Sequence, residues 1–195
     1  MMETLVMRLI LASSSPRRQK LLNEMGYEFE IVTPISDEMM MAGESPEKHV
    51  LRISRDKAES VAGDFADDLV LGADTIVVLN DRIFGKPGSK VEAVEMLETL
   101  SGKTHTVYTG LTIVNHSAGT VLSRYDSTLV SFNILNEYDI ERYIDSGEPM
   151  DKAGAYGIQG MGSFLVERYD GELDTVIGFP RKLFKSMYEE VAFCQ

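Results

Sequence analysis

The stretch "RLILASSSPRR" at residues 8–18 joins a short apolar run to a start signal for a helix. The apolar part predicts a buried strand, because it is short, continuous and bounded by polar residues. Ser15 and Pro16 predict the N-cap and the first residue of a helix that runs to about Met25 and is closed by Gly26. A buried strand that leads directly into a helix favours an α/β fold.

The remaining chain alternates predicted strands and helices, with no internal repeat and no linker. Strands are predicted at residues 27–33, 68–81, 105–115 and 120–132. The second is predicted as two strands or one bent strand that turns at Asn80–Asp81, and the last two as up to three strands. Helices are predicted at residues 45–62, 91–100, 136–147 and 180–193, and a hairpin at residues 163–178. This order predicts a single mixed α/β domain over residues 1–195, built on a mixed sheet.

The acidic composition restricts the partners of the chain. A formal net charge of −12 argues against a general nucleic-acid or anionic-membrane binder, because such proteins carry an excess of Lys and Arg. An anionic substrate must therefore meet a local cluster of basic residues or a metal ion.

The sequence also predicts a soluble, cytoplasmic protein. Cys194 is the one cysteine, which argues against a disulfide framework or a cysteine-based metal site and fits a reducing compartment. Glu3 and Arg8 interrupt the apolar stretch near the N-terminus, so no signal peptide is predicted. No apolar run approaches the roughly 18 residues that a membrane-spanning helix needs.

Arg17 and Arg18 stand in the first turn of the first predicted helix, where cations are unfavourable. The helix dipole presents positive charge there, and each cation costs from a few tenths to about 1 kcal/mol. A bound anion would explain that cost, because serine hydroxyls, backbone amides and two guanidinium groups together form a phosphate site. The alternative is a surface helix with two solvated arginines. No Walker motif is present, so a P-loop site is excluded.

Lys57 and Asp74 are charged residues within apolar patterns. Lys57 shares a helical stripe with Val50, Ile53 and Val61, so it either snorkels to the edge of the core or reaches into a site. Asp74 interrupts the run "LVLGADTIVVL", where an unpaired carboxylate would be costly. It either binds a metal, acts as a general base, or is a turn residue between hairpin strands.

Two predicted loops supply further candidates. Lys86 in "FGKPGS" is by itself an ordinary loop lysine. Gln159 lies in a glycine-rich loop, residues 147–162, and its amide can donate and accept hydrogen bonds at once, as the edge of a base requires. The three histidines show no metal-ligand spacing, which argues against a His-based zinc site.

Six short motifs carry a family resemblance. They are "LILASSSPRR", "DKA" at 56–58, "GADT" at 72–75, "GKP" at 85–87, "LSGKTHTVYTG" at 100–110 and "EPMDKAGAYGIQG" at 148–160. In this order they closely resemble the Maf family of nucleoside triphosphate pyrophosphatases, from about Arg8 to Phe193. The resemblance implies an inosine triphosphatase-like α/β fold, with an elongated mixed sheet flanked by helices and the active site in a cleft between two lobes.

The resemblance also implies an activity and a set of site residues. The family's cytoplasmic enzymes hydrolyse a nucleoside triphosphate to the monophosphate and pyrophosphate with a divalent cation, Mg²⁺ or Mn²⁺. Asp74 matches the family's proton acceptor, with Lys57 and Lys86 as its catalytic companions and Glu38 as a second metal ligand. The family's substrate-selecting positions fall on Arg17, Thr75 and Gln159, and its phosphate neighbourhood also includes Ser13, Ser15 and Arg18.

The wording "DKAGAYGIQG" resembles the branch that acts on dTTP and UTP rather than the branch that acts on 7-methyl-GTP. CTP and modified pyrimidine nucleotides are further candidate substrates. A glutamine amide facing O4 and N3–H of uracil or thymine suits this choice. The chain departs from the family pattern at Ser14 and in "ISDE", so Asp37 stays an alternative to Glu38 as the loop carboxylate.

Two other functions are compatible with these residues. The family has also been associated with inhibition of septum formation, and a nucleotide-binding regulator would need the phosphate site but no base. A phosphatase that removes single phosphates would release orthophosphate instead of pyrophosphate. The resemblance suggests a homodimer, and neither a nucleic-acid nor a membrane partner is expected.

Overall fold

The computed structural model describes residues 7–193, so Glu3 and Cys194, used above, lie outside the described residues. The strands are β1 (Leu9–Ala12), β2 (Phe29–Val32), β3 (Leu69–Leu79), β4 (Arg82–Phe84), β5 (Thr104–Asn115), β6 (Thr120–Phe132) and β7 (Val166–Asp170). The helices are α1 (Pro16–Glu24), α2 (Pro46–Ala62), α3 (Lys90–Leu100), α4 (Glu137–Asp145), α5 (Leu173–Ile177) and α6 (Arg181–Phe193). Three short 3₁₀ segments cover Glu148–Asp151, Ala153–Ala155 and Gly160–Leu165.

Within residues 7–193, seven strands form one mixed sheet in the order β2-β1-β3-β5-β6-β7, and β4 pairs with β3. Strand β1 is parallel to both β2 and β3. Strand β4 is antiparallel to β3, and β7 is antiparallel to β6. The predicted mixed α/β architecture, with helices flanking a mixed sheet, is confirmed.

The described residues divide into two compact units, and β3, β5 and β6 contribute residues to both. Unit 1 contains the described residues up to Asp74, then Gly110–Tyr125, then those from Arg181 onward; unit 2 contains Thr75–Thr109 and Asp126–Pro180. A core cluster of unit 1 consists of Ile10, Ala12, Ala58, Val61, Ala62, Val70 and Val114. A core cluster of unit 2 includes Phe84, Leu97, Phe132, Tyr143 and Tyr156. The single domain over residues 1–195 and the cleft between lobes stay predictions.

The predicted helix starts are placed correctly because they depend on local capping. Ser45 caps α2 and Ser89 caps α3, each accepting a hydrogen bond from the amide three residues later. Asn136 caps α4 in the same way. Ser15 is the N-cap of α1 with Pro16 as the first helical residue, but its side chain makes no capping hydrogen bond.

The structure differs from the predicted β-structure in three places. The hairpin predicted at residues 163–178 is wrong, because β7 ends before Gly171, whose φ is +128°, and the chain then forms the short helix α5. The turn predicted at Asn80–Asp81 is confirmed, but the strand that follows it, β4, was not predicted. Asn80 and Asp81 have φ of 49° and 65°, the left-handed conformations of a tight hairpin turn, so the chain returns along β3 immediately. Residues 69–79 form one continuous strand, which excludes the prediction of Asp74 as a turn residue.

Candidate active site

The end of β1 brings Ser13 beside the first turn of α1. Ser13 is 3% exposed, and its Oγ accepts hydrogen bonds from the Ser15 backbone N–H and the Arg18 guanidinium, both at 3.2 Å. Burial lowers the pKa of Arg18, whereas the Asp74 carboxylate raises it and Arg17 lowers it further. Arginine nevertheless keeps its charge, because its pKa starts far above neutrality. Arg18 is therefore the arginine of this turn that bonds to Ser13, and the predicted phosphate site stays a prediction.

Lys57 forms the centre of a buried charge cluster. Its Nζ lies 2.7 Å from Asp74 Oδ1 and 2.7 Å from Glu38 Oε1. The side chains of Lys57 and Asp74 are each 8% exposed, whereas that of Glu38 is 48% exposed. Lys57 thus reaches into a site instead of snorkelling to solvent. One side of the cluster is open to solvent through Glu38.

A glycine allows helix α2 to pack closely against β3 at this cluster. A Cβ on Gly72 would lie 2.1 Å from the Ser54 carbonyl oxygen and 2.8 Å from the Ala58 amide nitrogen. Gly72 and Asp74 share one face of the strand, since alternate residues point the same way. The close contact therefore places Lys57, next to Ala58 in the helix, against the Asp74 carboxylate.

The two loop carboxylates, Asp37 and Glu38, have different partners. Asp37 Oδ1 accepts a hydrogen bond from the Met39 backbone N–H at 3.0 Å, which folds the loop onto itself. Glu38 instead contacts Lys57. Of the alternatives left open by the sequence, Glu38 is the carboxylate that joins Asp74.

Sequence reasoning missed three residues that hold this loop on α2. Glu44 accepts a hydrogen bond from Arg52 Nε at 2.6 Å and contacts His49 Nδ1 at 3.0 Å. The hydrogen bond from Arg52 lowers the pKa of Glu44 to about 2, against the opposing effect of burial. The spacing of three between His49 and Arg52, which places them on one helix face, was the only available signal.

In unit 2, the side chain of Thr75 is held in one orientation by Thr109. Thr75 is the partly exposed residue of an otherwise buried β3, and its Oγ1 lies 3.0 Å from Thr109 Oγ1. Thr109 donates its own proton to the Thr175 carbonyl oxygen at 2.8 Å. The Thr75 hydroxyl must therefore donate to Thr109. Thr109 lies in the "VYTG" motif, but no sequence pattern indicated that it would orient the Thr75 hydroxyl.

Gln159 is exposed on a loop whose backbone is fixed on both sides of it. The Gly157 N–H donates to the Tyr143 hydroxyl at 3.0 Å, and the Met161 N–H donates to Glu148 Oε2 at 3.1 Å. Tyr143 in turn donates to Glu148 Oε1 at 3.2 Å. The Gln159 side chain thus projects from a rigid backbone, which suits recognition of a base edge.

Lys86 is exposed in the loop between β4 and α3, also in unit 2. The carbonyl oxygen of its neighbour Gly85 accepts a hydrogen bond from the Gly154 N–H at 3.0 Å. Gly154 has φ of +66°, and a Cβ there would lie 3.0 Å from the Val77 side chain. These contacts tie the "GKP" motif to the glycine-rich segment that carries Gln159.

Asp74 and Glu38 are the residues whose chemistry could hold a divalent cation. Within residues 7–193 no group of three or more His, Cys, Asp or Glu side chains could hold a metal ion alone. Asp74 and Glu38 offer two carboxylates, and Mg²⁺ in phosphate-handling sites is bound by one or two carboxylates together with substrate phosphates and water. A His-based zinc site is not found among these residues either.

Comparison with known proteins identifies the family. The sequence model described as "Maf-like protein" matches residues 8–191. The chain belongs to the Maf-like family. A dTTP/UTP pyrophosphatase from Bacillus anthracis is 47% identical to this Maf-like chain over 173 residues, which cover 89% of this chain and 90% of the relative. A dTTP/UTP pyrophosphatase from Syntrophus aciditrophicus is 44% identical over 173 residues, covering 89% and 84%.

A solved structure shares the fold of this Maf-like chain. A HAM1 protein from Coxiella burnetii matches with a TM-score of 0.51 at 15% identity, covering 94% of this chain and 100% of that chain. At that identity the likeness shows the fold alone, and the predicted inosine triphosphatase-like fold is confirmed. Among the described residues of the Maf-like chain, no helix has the length and apolar character to cross a bilayer.

The structure groups the predicted site residues of the Maf-like chain by unit. Unit 1 holds Ser13, Ser15, Arg17, Arg18, Glu38, Lys57 and Asp74, and unit 2 holds Thr75, Lys86 and Gln159. Direct contacts join Lys57 to Asp74 and Glu38, and join Arg18 to Ser13. Within unit 1, the electrostatic effect of Asp74 on Arg18 links the Lys57 contacts to the Arg18–Ser13 contact.

Proposed function

We propose that this Maf-like protein is a nucleoside triphosphate pyrophosphatase that hydrolyses dTTP and UTP to the monophosphate and pyrophosphate. The observation that carries the proposal is the cluster of Lys57, Asp74 and Glu38 with Arg18 nearby. The names of relatives at 47% and 44% identity support the choice of nucleotides.

The basic residues have the first task, which is to bind the triphosphate. Arg18 would bind phosphate oxygens through charge-assisted hydrogen bonds, and the N-terminus of α1 would present the positive end of its helix dipole to them. Lys86 and Lys57 would neutralise further phosphate oxygens. This local positive charge is what an acidic protein needs in order to hold a polyanion.

Asp74 is the proton acceptor in the proposed reaction. Lys57 holds its carboxylate in one orientation, because Nζ donates a charge-assisted hydrogen bond to Oδ1 at 2.7 Å. The carboxylate accepts a proton from water as the water oxygen attacks the α-phosphorus, and the bond to the β-phosphate oxygen breaks so that pyrophosphate leaves. Mg²⁺ or Mn²⁺, when bound by Asp74 and Glu38, would supply charge stabilisation to the phosphate oxygens.

Base selection falls to Gln159, with Thr75 and Arg17 as its companions. A glutamine amide donates to O4 and accepts from N3–H of uracil or thymine, whereas cytosine presents a donor and an acceptor in the opposite order. We expect UTP and dTTP to be preferred over CTP for this reason. Modified pyrimidine nucleotides that keep O4 and N3–H would also be accepted.

A nucleotide-binding regulator without hydrolysis is the less favoured function. Two carboxylates beside a phosphate site repel the ligand unless they serve a cation or a proton transfer. In an enzyme, Asp74 and Glu38 can bind the cation and accept a proton. In a protein that only binds the nucleotide, the same two carboxylates would weaken binding.

We include in the proposal a cytoplasmic location and a homodimer. Light scattering in solution checks the homodimer.

Product analysis over a panel of nucleotides tests this function. We expect pyrophosphate from UTP and dTTP with added Mg²⁺, no orthophosphate, and loss of turnover in Asp74→Asn with nucleotide binding retained. Asp37→Asn is the matched control, because that carboxylate bonds its own loop. Orthophosphate as product would assign a phosphatase, and tight binding without any product would assign a regulator.

A further inference from the structure

The guanidinium of Arg52 bridges two parts of the loop that carries Glu38. Its Nη2 donates to the Met39 carbonyl oxygen at 3.0 Å and to Glu44 Oε2 at 2.8 Å, and its Nε donates to Glu44 Oε1 at 2.6 Å. Glu44 Oε2 also accepts from the Met41 N–H at 3.3 Å. One arginine on α2 therefore holds the loop backbone directly after Glu38 as well as the end of the loop.

This cluster is buried although all of its members are polar. The side chains of Glu44 and His49 are 8% and 5% exposed, and that of Arg52 is 21% exposed. The two-point contact of Arg52 with the Glu44 carboxylate is the geometry in which an arginine fixes its partner most rigidly. Lysine could not form the same fork.

Apolar packing does not hold the loop. Ile35, Met39, Met40 and Met41 are 87%, 73%, 47% and 57% exposed, so their side chains bury little area against the protein. Away from Arg52 and Glu44, the Ile35 N–H donates to Ser60 Oγ at 3.2 Å, which holds the start of the loop on α2. The position of the segment between these two ends therefore depends on the polar contacts.

Helix α2 thus carries two residues that hold Glu38: one contacts its side chain, and the other holds the backbone of the loop beside it. Lys57 meets the Glu38 carboxylate, and Arg52, five residues earlier in the helix, holds the carbonyl of the next residue, Met39. We propose that Arg52 and Glu44 are positioning residues that place Glu38 for the divalent cation, and this inference rests on the proposed function.

Binding of a nonhydrolysable α,β-imido analogue of UTP, with and without Mg²⁺, tests the proposal. In Arg52→Gln and Glu44→Gln we expect the affinity gained on adding Mg²⁺ to fall roughly tenfold or more, the usual loss when a residue that orients a metal ligand is removed. The affinity measured without Mg²⁺ should stay unchanged. The Mg²⁺ concentration for half-maximal turnover should rise by the same factor, with kcat at saturating Mg²⁺ close to that of the unchanged protein.

Arg55→Gln is the matched control on the same helix. Arg55 forms an exposed pair with Glu59 at 2.7 Å on the same helix, so its removal should leave the Mg²⁺ dependence unchanged. Arg52→Lys covers the case in which Arg52→Gln fails to fold. It keeps the charge but loses the fork, so it should show the same change in Mg²⁺ dependence at a smaller magnitude.

Glu38→Gln separates failure of the proposal from failure of the proposed function. If the unchanged protein neither binds the analogue nor hydrolyses UTP, both the function and the positioning role are overturned. If Glu38→Gln alters the Mg²⁺ dependence but Arg52→Gln, Glu44→Gln and Arg52→Lys do not, the function stands and the positioning role is overturned. An unchanged Mg²⁺ dependence in Glu38→Gln itself overturns the positioning role as well.

Discussion

Lys57 Nζ lies 2.7 Å from Asp74 Oδ1, and both side chains are 8% exposed. The two residues are seventeen positions apart, one on a helix and one on a strand, so only the tertiary fold brings them together. Burying an ion pair of this kind costs the desolvation of both charges, so the pair itself adds little to the free energy of unfolding. Removing only one partner lowers the free energy of unfolding more, because it leaves an uncompensated buried charge. The pair is therefore better explained by the proposed role of Asp74 in the reaction than by a contribution to the stability of the fold.

The first prediction concerns the two halves of this pair. Lys57→Met removes the cation that is hydrogen-bonded to the buried Asp74 carboxylate, so the free energy of unfolding should fall by about 3 kcal/mol. Asp74→Asn leaves Lys57 paired with Glu38 and should lower it by only about 1 kcal/mol. Urea unfolding of both variants measures the difference. Equal losses would contradict the view that Glu38 shares the charge of Lys57.

The second prediction concerns the contact of β3 with α2. Gly72→Ala puts a Cβ against the Ser54 carbonyl oxygen, which is backbone and cannot rotate away. The helix must shift, and the free energy of unfolding should fall by about 2 to 3 kcal/mol, as for other overpacked cores. Turnover should fall further than stability explains, because the shift moves Lys57 relative to Asp74.

Gly63→Ala is the control for the second prediction. Gly63 follows α2, has helical φ and ψ of −63° and −34°, and would place a Cβ in open space. We expect unchanged or slightly higher stability there. Thermal unfolding and UTP turnover should be measured on both variants; unchanged turnover in a folded Gly72→Ala protein would show that the approach of α2 is not what aligns Lys57.

Candidate site residues could be picked out from the sequence where a local pattern is broken or where it marks the start of a helix. Lys57 and Asp74 stand out as charges in apolar periodicities, and Ser15 and Pro16 mark a helix start by local capping. Arg52 could not be recognised in this way, because a charged residue on a helix is ordinary until the loop that it holds is known.

The error at residues 163–178 has a different physical origin. The apolar residues there fit a strand and a short helix equally well, because so short a segment gives no clear period. The left-handed conformations at Gly171 and Gly178 decide where β7 ends and where α5 is closed.

The third prediction concerns His105 and acid. His105 is 2% exposed, and burial lowers its pKa to about 4. Its Nε2 lies 2.8 Å from the Tyr156 hydroxyl. The unfolded chain binds a proton near its ordinary pKa of 6.5, before the folded protein does, so stability is complete above about pH 6.5 and falls as the pH is lowered toward 4. The contribution to the slope is at most about 1.4 kcal/mol per pH unit.

His105→Gln should remove this contribution to the pH dependence of unfolding. Urea unfolding between pH 7 and 4 measures it, and His116→Gln is the control because His116 is exposed in the turn between β5 and β6. We expect a flatter profile for His105→Gln than for the control. Parallel profiles would show that His105 accepts a proton within the folded protein.

The fourth prediction concerns the choice between uracil and cytosine by Gln159. In Gln159→Glu the side chain loses its hydrogen-bond donor for O4 but can accept from the amino group of cytosine, so kcat/KM for UTP should fall about tenfold or more. CTP should lose less or gain. The measurement is the ratio of kcat/KM for UTP to that for CTP, with pyrophosphate as product throughout. Gln159→Leu, which neither donates nor accepts, should lower that ratio without favouring CTP. A ratio unchanged in both variants would remove Gln159 from base selection.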